Sequence, residues 1–212
     1  MNINNLLIPL GFHCNITFLQ QELHIKHETS LFEWLQSEKL QYITDIVNNI
    51  KYTIDLNIIY GVDKNINVLN DKVFTYHYNL EEYKIIFERR AIRFLNIIKE
   101  SKKLFFVRIN PIYHYTTEEE INNFVKAIHS INSTLDIIFL MIHTVDDYDN
   151  YLRLDDSKIF NITFIQKELL FKDCPDEYLR DNKKIQYHFL EYLQEIGMNI
   201  QFKSNMIFSD IS

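Results

Sequence analysis

The sequence predicts a single α/β domain over residues 1–212, a three-layer sandwich around a mainly parallel, doubly wound sheet. Three observations predict it. Short runs rich in β-branched and aromatic residues alternate with stretches of helical apolar periodicity, the pattern of repeated strand–helix–strand units. The run Leu104, Phe105, Phe106, Val107, Arg108, Ile109 and the stretch 136–143 are nearly continuous in apolar residues, which suits strands covered on both faces. The chain is 47% apolar with sixteen Phe and thirteen Tyr, enough to fill a dense core over 212 residues without metal or disulfide support.

Taken in order, residues 5–10 read as a first buried strand that stops at Gly11, one of three glycines in the chain, and 14–26 as the helix that follows. After the aromatic patch Leu31, Phe32, Glu33, Trp34 and Leu35, residues 37–50 read as a second helix with Ser37 as its N-cap. Ile58, Ile59 and Tyr60 before Gly61, and Val73, Phe74, Thr75 and Tyr76, give two short strands. Residues 80–100 give the clearest helix, with Tyr83, Phe87, Ala91, Phe94 and Ile98 on one face. The strand 104–109 then ends at Asn110 and Pro111. Thr117 and Glu120 form a capping-box pattern that opens a helix to about 131. A buried strand at 136–143, a short helix over 145–154 and a strand over 159–165 come next. Pro175 opens the last long helix, Gly197 closes it, and a short strand at 200–202 follows.

Composition narrows the function. A net charge of −7 and a pI of about 5.6 argue against a surface that binds nucleic acid by neutralising phosphates. No run approaches the ~20 apolar residues of a membrane span, and the N-terminus lacks a basic region followed by a long apolar one. Cys14 and Cys174 form neither a Cys-x-x-Cys pair nor a disulfide framework. A cytoplasmic, reduced setting with no nucleic-acid or membrane partner is the expectation.

Open parallel sheets bind ligands beyond the carboxyl ends of their strands. Here that rule selects His13 and Cys14 after the first strand, Arg108 and Asn110 at the end of a central one, and His143 at the end of the next. A thiol at a helix start is biased towards thiolate by the dipole and the unpaired N–H groups, so Cys14 is the candidate nucleophile. A buried inert thiol accounts equally well for its position. A nucleophilic cysteine needs a base, and the choices are His13, His77 and His143. His13 is adjacent in sequence, which turns its side chain away from Cys14 and favours the other two.

On the 80–100 helix, Arg90 falls inside the apolar stripe and Arg93 at its edge. Each guanidinium there needs a partner: Glu33 or an aspartate in a structural ion pair, or an anionic substrate group. Zinc through His24 and His27 with Cys14 or His13 is a weak pattern, because nothing completes a tetrahedron. The 11–16 region holds one glycine where phosphate-binding loops need two or three. No metal and no cofactor is expected.

Leu10 and Gly11 with Cys14, then Phe32, Glu33 and Trp34, then His77, then Arg89, Arg90, Arg93 and Phe94, and finally Phe106, Val107 and Arg108 together resemble a bacterial and viral family of unknown function labelled papain-like cysteine peptidase. The pattern covers roughly the first half of the chain. It departs from the usual pattern at Glu33, where that family carries aspartate. The resemblance implies Cys14 as nucleophile and His77 as its base, with Asn110 or Glu33 as the group that orients the histidine, and His143 as another candidate. The strand–helix alternation nevertheless predicts a doubly wound sheet, not a papain architecture.

The leading expectation is a cysteine-dependent hydrolase, peptidase-like, or acyl transferase acting on a small-molecule or peptide substrate, with Arg90, Arg93 and Arg108 holding an anionic part of it beside Glu33 and Trp34. The alternative is a non-catalytic or transferase-type pocket that binds a phosphate- or sugar-linked ligand through the same arginines. A third reading is a protein-interaction surface around Trp34.

Overall fold

The computed structural model describes residues 6–11, 15–25, 29–62, 65–68, 73–75, 78–110, 116–145, 153–170 and 183–198. His13, Cys14, His27, His77 and Cys174, the expected helix start at Pro175 and the expected strand at 200–202 lie outside the described residues.

Four strands form a parallel sheet: β1 (Leu7–Pro9), β6 (Lys103–Asn110), β7 (Asp136–Val145) and β8 (Thr163–Leu170), in the order β1-β6-β7-β8. Both faces of this sheet are covered, which is why its strands read as almost unbroken apolar runs. On one face Ile8, Phe106, Phe139 and Met141 pack with residues of α2 (Leu40–Ile50), α3 (Leu80–Glu100) and α4 (Glu118–His129). On the other, Leu7, Phe105, Val107, Leu140 and Ile142 pack with α1 (Asn15–Glu22) and α5 (Lys183–Glu195). The result is the three-layer α/β sandwich expected.

The helices follow their local chemistry. Helix α3 starts where Asn79 accepts from the Glu82 N–H, and it buries Tyr83, Phe87, Ala91, Phe94 and Ile98, the stripe that periodicity defined. Helix α4 opens with the full capping box: Thr117 accepts from the Glu120 N–H, and the Glu120 carboxylate accepts from the Thr117 N–H.

Three expectations are corrected. Ser37 is not an N-cap but lies in strand β2 (Gln36–Ser37), and α2 begins at Leu40 with Lys39 at its cap position. Of the short helix expected over 145–154, residue 145 belongs to β7 and 153–154 are irregular, while 146–152 lie outside the described residues. Strand β8 starts at Thr163, because a 3-10 turn at Asp156–Lys158, capped by Asp155, occupies the chain just before Ile159. A second sheet also exists. Strands β3 (Ile59–Val62), β4 (Asn65–Val68), β5 (Val73–Thr75) and β2 form an antiparallel sheet in the order β2-β5-β4-β3. Its Ile59, Ile66, Val68 and Val73 join the same core as α2, α3 and α4. Strand β4 reads Asn-Ile-Asn-Val, too short and too polar at alternate positions to stand out in sequence.

Candidate functional site: the polar end of the parallel sheet

Paired residues of neighbouring strands share a face, so the register of the sheet lays its side chains out in rows. On the α3/α4 face, Phe106, Phe139 and Phe164 form one row. Phe124 of α4 meets Phe106 and Phe139 edge-on, with ring centroids 5.2 and 5.9 Å away. Two residues further towards the carboxyl ends the row is Arg108, Met141 and Gln166, and two further still it is Asn110, His143 and Glu168. Along this face the sheet passes from aromatic to polar where a doubly wound fold places its ligands.

These polar groups are not surface decoration. Asn110 is 1% exposed, His143 2% and Gln166 5%. The buried Thr116 hydroxyl donates to Asn110 Oδ1 at 2.8 Å, and the Thr144 hydroxyl donates to the Asn110 main-chain carbonyl at 3.0 Å. Among the described residues the buried Asn110 amide nitrogen has no acceptor. Burial holds the His143 imidazole below its ordinary pKa, with Arg153 pushing the same way. The neighbouring Gln166 side chain and the charge of Glu168 oppose this without reversing it. His143 is therefore neutral at neutral pH, the state in which imidazole accepts a proton.

The described hydrogen bonds of the three arginines run largely to the backbone. Each donates to main-chain carbonyls of one segment, residues 29–38. Arg93 donates to the Thr29 carbonyl, and Arg90 makes a long 3.5 Å contact to the Glu33 carbonyl and a 3.0 Å bond to the Tyr78 hydroxyl. Arg108, fully buried, donates to the carbonyls of Ser37 and Glu38 at 3.0 and 2.9 Å, to Ser37 Oγ at 3.3 Å and to the Leu10 carbonyl at 2.6 Å. Burial lowers its pKa to about 10, which leaves it charged at neutral pH. Arg108 is thus a clasp that closes β1 onto β2 from inside, with no route to a ligand from solvent. The Glu33 carboxylate, also buried, accepts from the Ser30 N–H at 2.7 Å and braces the same segment.

This junction explains Gly11. Its φ of +69° is open to glycine at little cost, and a Cβ there would sit 2.7 Å from Ser37 Oγ. Trp34 also has a positive φ, of 66°, and is half-buried against Phe18, centroids 5.4 Å apart and edge-on. It is not one of the large exposed apolar residues. His24, at the end of α1, is exposed, and among the described residues no three His, Cys, Asp or Glu side chains cluster for a metal.

Of the expected site residues, the register brings Asn110 and His143 together. Arg90, Arg93 and Glu33 belong to the braced segment. Sequence reasoning missed Gln166 and Thr116. Gln166 lies one residue past the strand end expected at 165, two positions after Phe164 on the same face, where a buried polar group must be satisfied. No family model, curated protein or solved structure matches the chain. Among the described residues no helix is long and apolar enough to cross a membrane.

Proposed function

We propose that the protein is a cysteine-dependent hydrolase or acyl transferase, with Cys14 as nucleophile and His143 as its base. The observation that carries this reading is the arrangement at the carboxyl edge. Helix α1 begins at Asn15, the residue after Cys14, beyond a strand whose neighbour β6 ends in Asn110 and whose next neighbour β7 carries the buried, neutral His143.

In this reading His143 takes the thiol proton, and Cys14 Sγ attacks the carbonyl carbon of an ester, thioester or amide. The Asn110 amide and the N–H groups at the start of α1 stabilise the oxyanion. Collapse of the adduct expels the leaving group, which takes the proton from His143 and leaves a thioester. Water or a second nucleophile then releases the acyl group. The papain-like peptidase resemblance fits the choice of nucleophile, and a peptide is one substrate this chemistry admits; His77 is the base that the resemblance favours. The anion-pocket alternative loses ground because Arg90, Arg93 and Arg108 donate to the protein's own carbonyls.

The test is alkylation of Cys14 by iodoacetamide, followed across pH by peptide mass mapping so that Cys174 is scored separately. An apparent Cys14 pKa at least about one unit below the free-thiol value of ~8.5 is expected. Turnover of a panel of activated esters and thioesters should be lost in Cys14→Ser, with the fold intact. A Cys14 that titrates as a free thiol, or a Cys14→Ser protein that retains full turnover, overturns the reading.

A further inference from the structure

Helix α3 buries one stripe against the core and leaves the opposite one bare. At about 3.6 residues per turn, Ile85, Ile92 and Asn96 fall on a line diametrically opposite the buried Tyr83, Phe87 and Phe94. Ile85 is 69% exposed and Ile92 48%. Folding alone asks for polar side chains on that line, yet two isoleucines stand there about two turns apart, the spacing of a helix–helix seam.

The charges on either side of the line say what the seam fits. Glu88 and Lys99 lie on one flank, Arg89 and Glu100 on the other, and all four are exposed. Among the described residues none of the four has an ion-pair partner. When two copies of one helix pack in parallel about a two-fold axis along their length, each flank faces the opposite flank of the other copy. Glu88 then meets Arg89 of the second copy and Lys99 meets its Glu100, each pair formed twice, while Ile85 and Ile92 each meet their own counterpart. Antiparallel packing brings each flank against itself. With Ile85 set against Ile92 it would oppose Glu88 to Glu88 and Arg89 to Arg89, a like-charge contact that costs affinity. A different partner would have to reproduce this alternation of sign, whereas a second copy already carries it.

We infer that the solvent face of α3, from Ile85 to Glu100, is the surface through which two copies of this chain associate, helix α3 against helix α3 in parallel. The first turn is not part of the seam. Glu81 and Glu82 sit on opposite flanks there and would face each other across the dimer; within each copy Glu81 is instead paired with Lys84 at 3.4 Å, and Glu82 accepts from the Asn79 side chain at 3.2 Å. The remaining contact is one helix wide and about 23 Å long. It falls short of the ~1,600 Å² of a standard interface, so a Kd of about 10–100 μM is expected.

Sedimentation equilibrium of the full chain from about 5 to 500 μM should show a monomer–dimer equilibrium in that range, and a monomer throughout overturns the inference. Ile85→Glu combined with Ile92→Glu should raise Kd at least about tenfold with an unchanged circular dichroism spectrum, because neither side chain supports the fold. An unchanged Kd in that variant places the contact elsewhere and overturns the inference. Charge reversal tests the direction. Glu88→Arg alone and Arg89→Glu alone should each weaken self-association at least about threefold, since each sets like charges face to face. An equimolar mixture of the two single variants should associate more tightly than either does alone, and the double reversal Glu88→Arg with Arg89→Glu should return Kd to the wild-type value. Single reversals without effect, as antiparallel packing requires, or a mixture no tighter than its components, overturn the parallel pairing.

Discussion

The two ends of the parallel sheet use the same strands and the same helical cover for opposite purposes. At the level of Phe106, Phe139 and Phe164, side chains meet Phe124 and one another with no polar group between them, and the row can serve only cohesion. Some four residues further along each strand, Asn110, His143 and Glu168 occupy equivalent positions. There buried polar atoms are matched in part, by Thr116, Thr144 and the Gln166–Leu154 pair, while the Asn110 amide nitrogen has no acceptor among the described residues. A sheet can bear such a polar end because the aromatic end supplies stability in excess of what desolvated polar groups cost.

Four measurements would break or sharpen this contrast. The largest effect is expected at the cohesive end. Phe139→Ala should lower unfolding free energy by about 3–5 kcal/mol in urea titration, because it opens a cavity between α4 and the sheet that cannot collapse. A loss below about 1 kcal/mol would falsify the view of that row as the main source of cohesion.

Next comes the clasp between the two sheets. Arg108→Met removes the donor of three main-chain carbonyls and should cost about 3 kcal/mol. Because the charge is sealed inside, the cost should be nearly independent of salt, whereas an ion pair at the surface would weaken as salt rises. A stability unchanged by Arg108→Met would mean that water satisfies those carbonyls and the clasp is dispensable.

Gly11→Ala is expected to cost about 2 kcal/mol, from its positive φ together with the approach of Ser37 Oγ. Combining it with Ser37→Gly should recover the steric part while the backbone part remains. Full additivity of the two substitutions would show that the hydroxyl is not what excludes a side chain there.

The smallest effect is a pH dependence at the polar end. Burial places the folded-state pKa of His143 below its ordinary 6.5, so the unfolded chain binds the proton first. Stability is full above about 6.5 and falls as pH drops below it, with a slope of at most about 1.4 kcal/mol per pH unit until the folded-state pKa is reached. His143→Gln should flatten that slope selectively, and an identical pH profile in the variant would remove His143 from this account.

How legible the molecule was in its sequence follows the same division. Helix α3 and the α4 capping box could be read directly, because helical periodicity and cap chemistry are local and the residues that decide them lie within a turn of one another. Strands β6 and β7 were legible as apolar runs for the same reason, although β7 extends two residues past His143. The antiparallel sheet was half hidden: β2 and β4 exist through their partners, with little preference of their own. Ser37 looked like a cap because serine caps helices; its hydroxyl instead meets Arg108, seventy-one residues away in sequence.

For the candidate site, position at a strand end was enough to select Asn110 and His143, since the carboxyl-edge rule depends only on strand direction. What the arginines do could not be read in this way. The stripe position of Arg90 required a partner, and the sequence offered carboxylates and substrate anions, but a main-chain carbonyl has no signature in sequence. Gln166 was passed over because its partners, the Leu154 backbone and the Asp156 carboxylate, meet it only once the chain before β8 has folded back onto that strand. The sequence by itself therefore determined the α/β class, the helices and the edge at which polar residues gather, because periodicity, capping and strand polarity are local properties. Only the tertiary structure decided which polar groups satisfy one another, because a buried donor takes whatever acceptor the packing brings to it, and that acceptor is often a backbone atom distant along the chain.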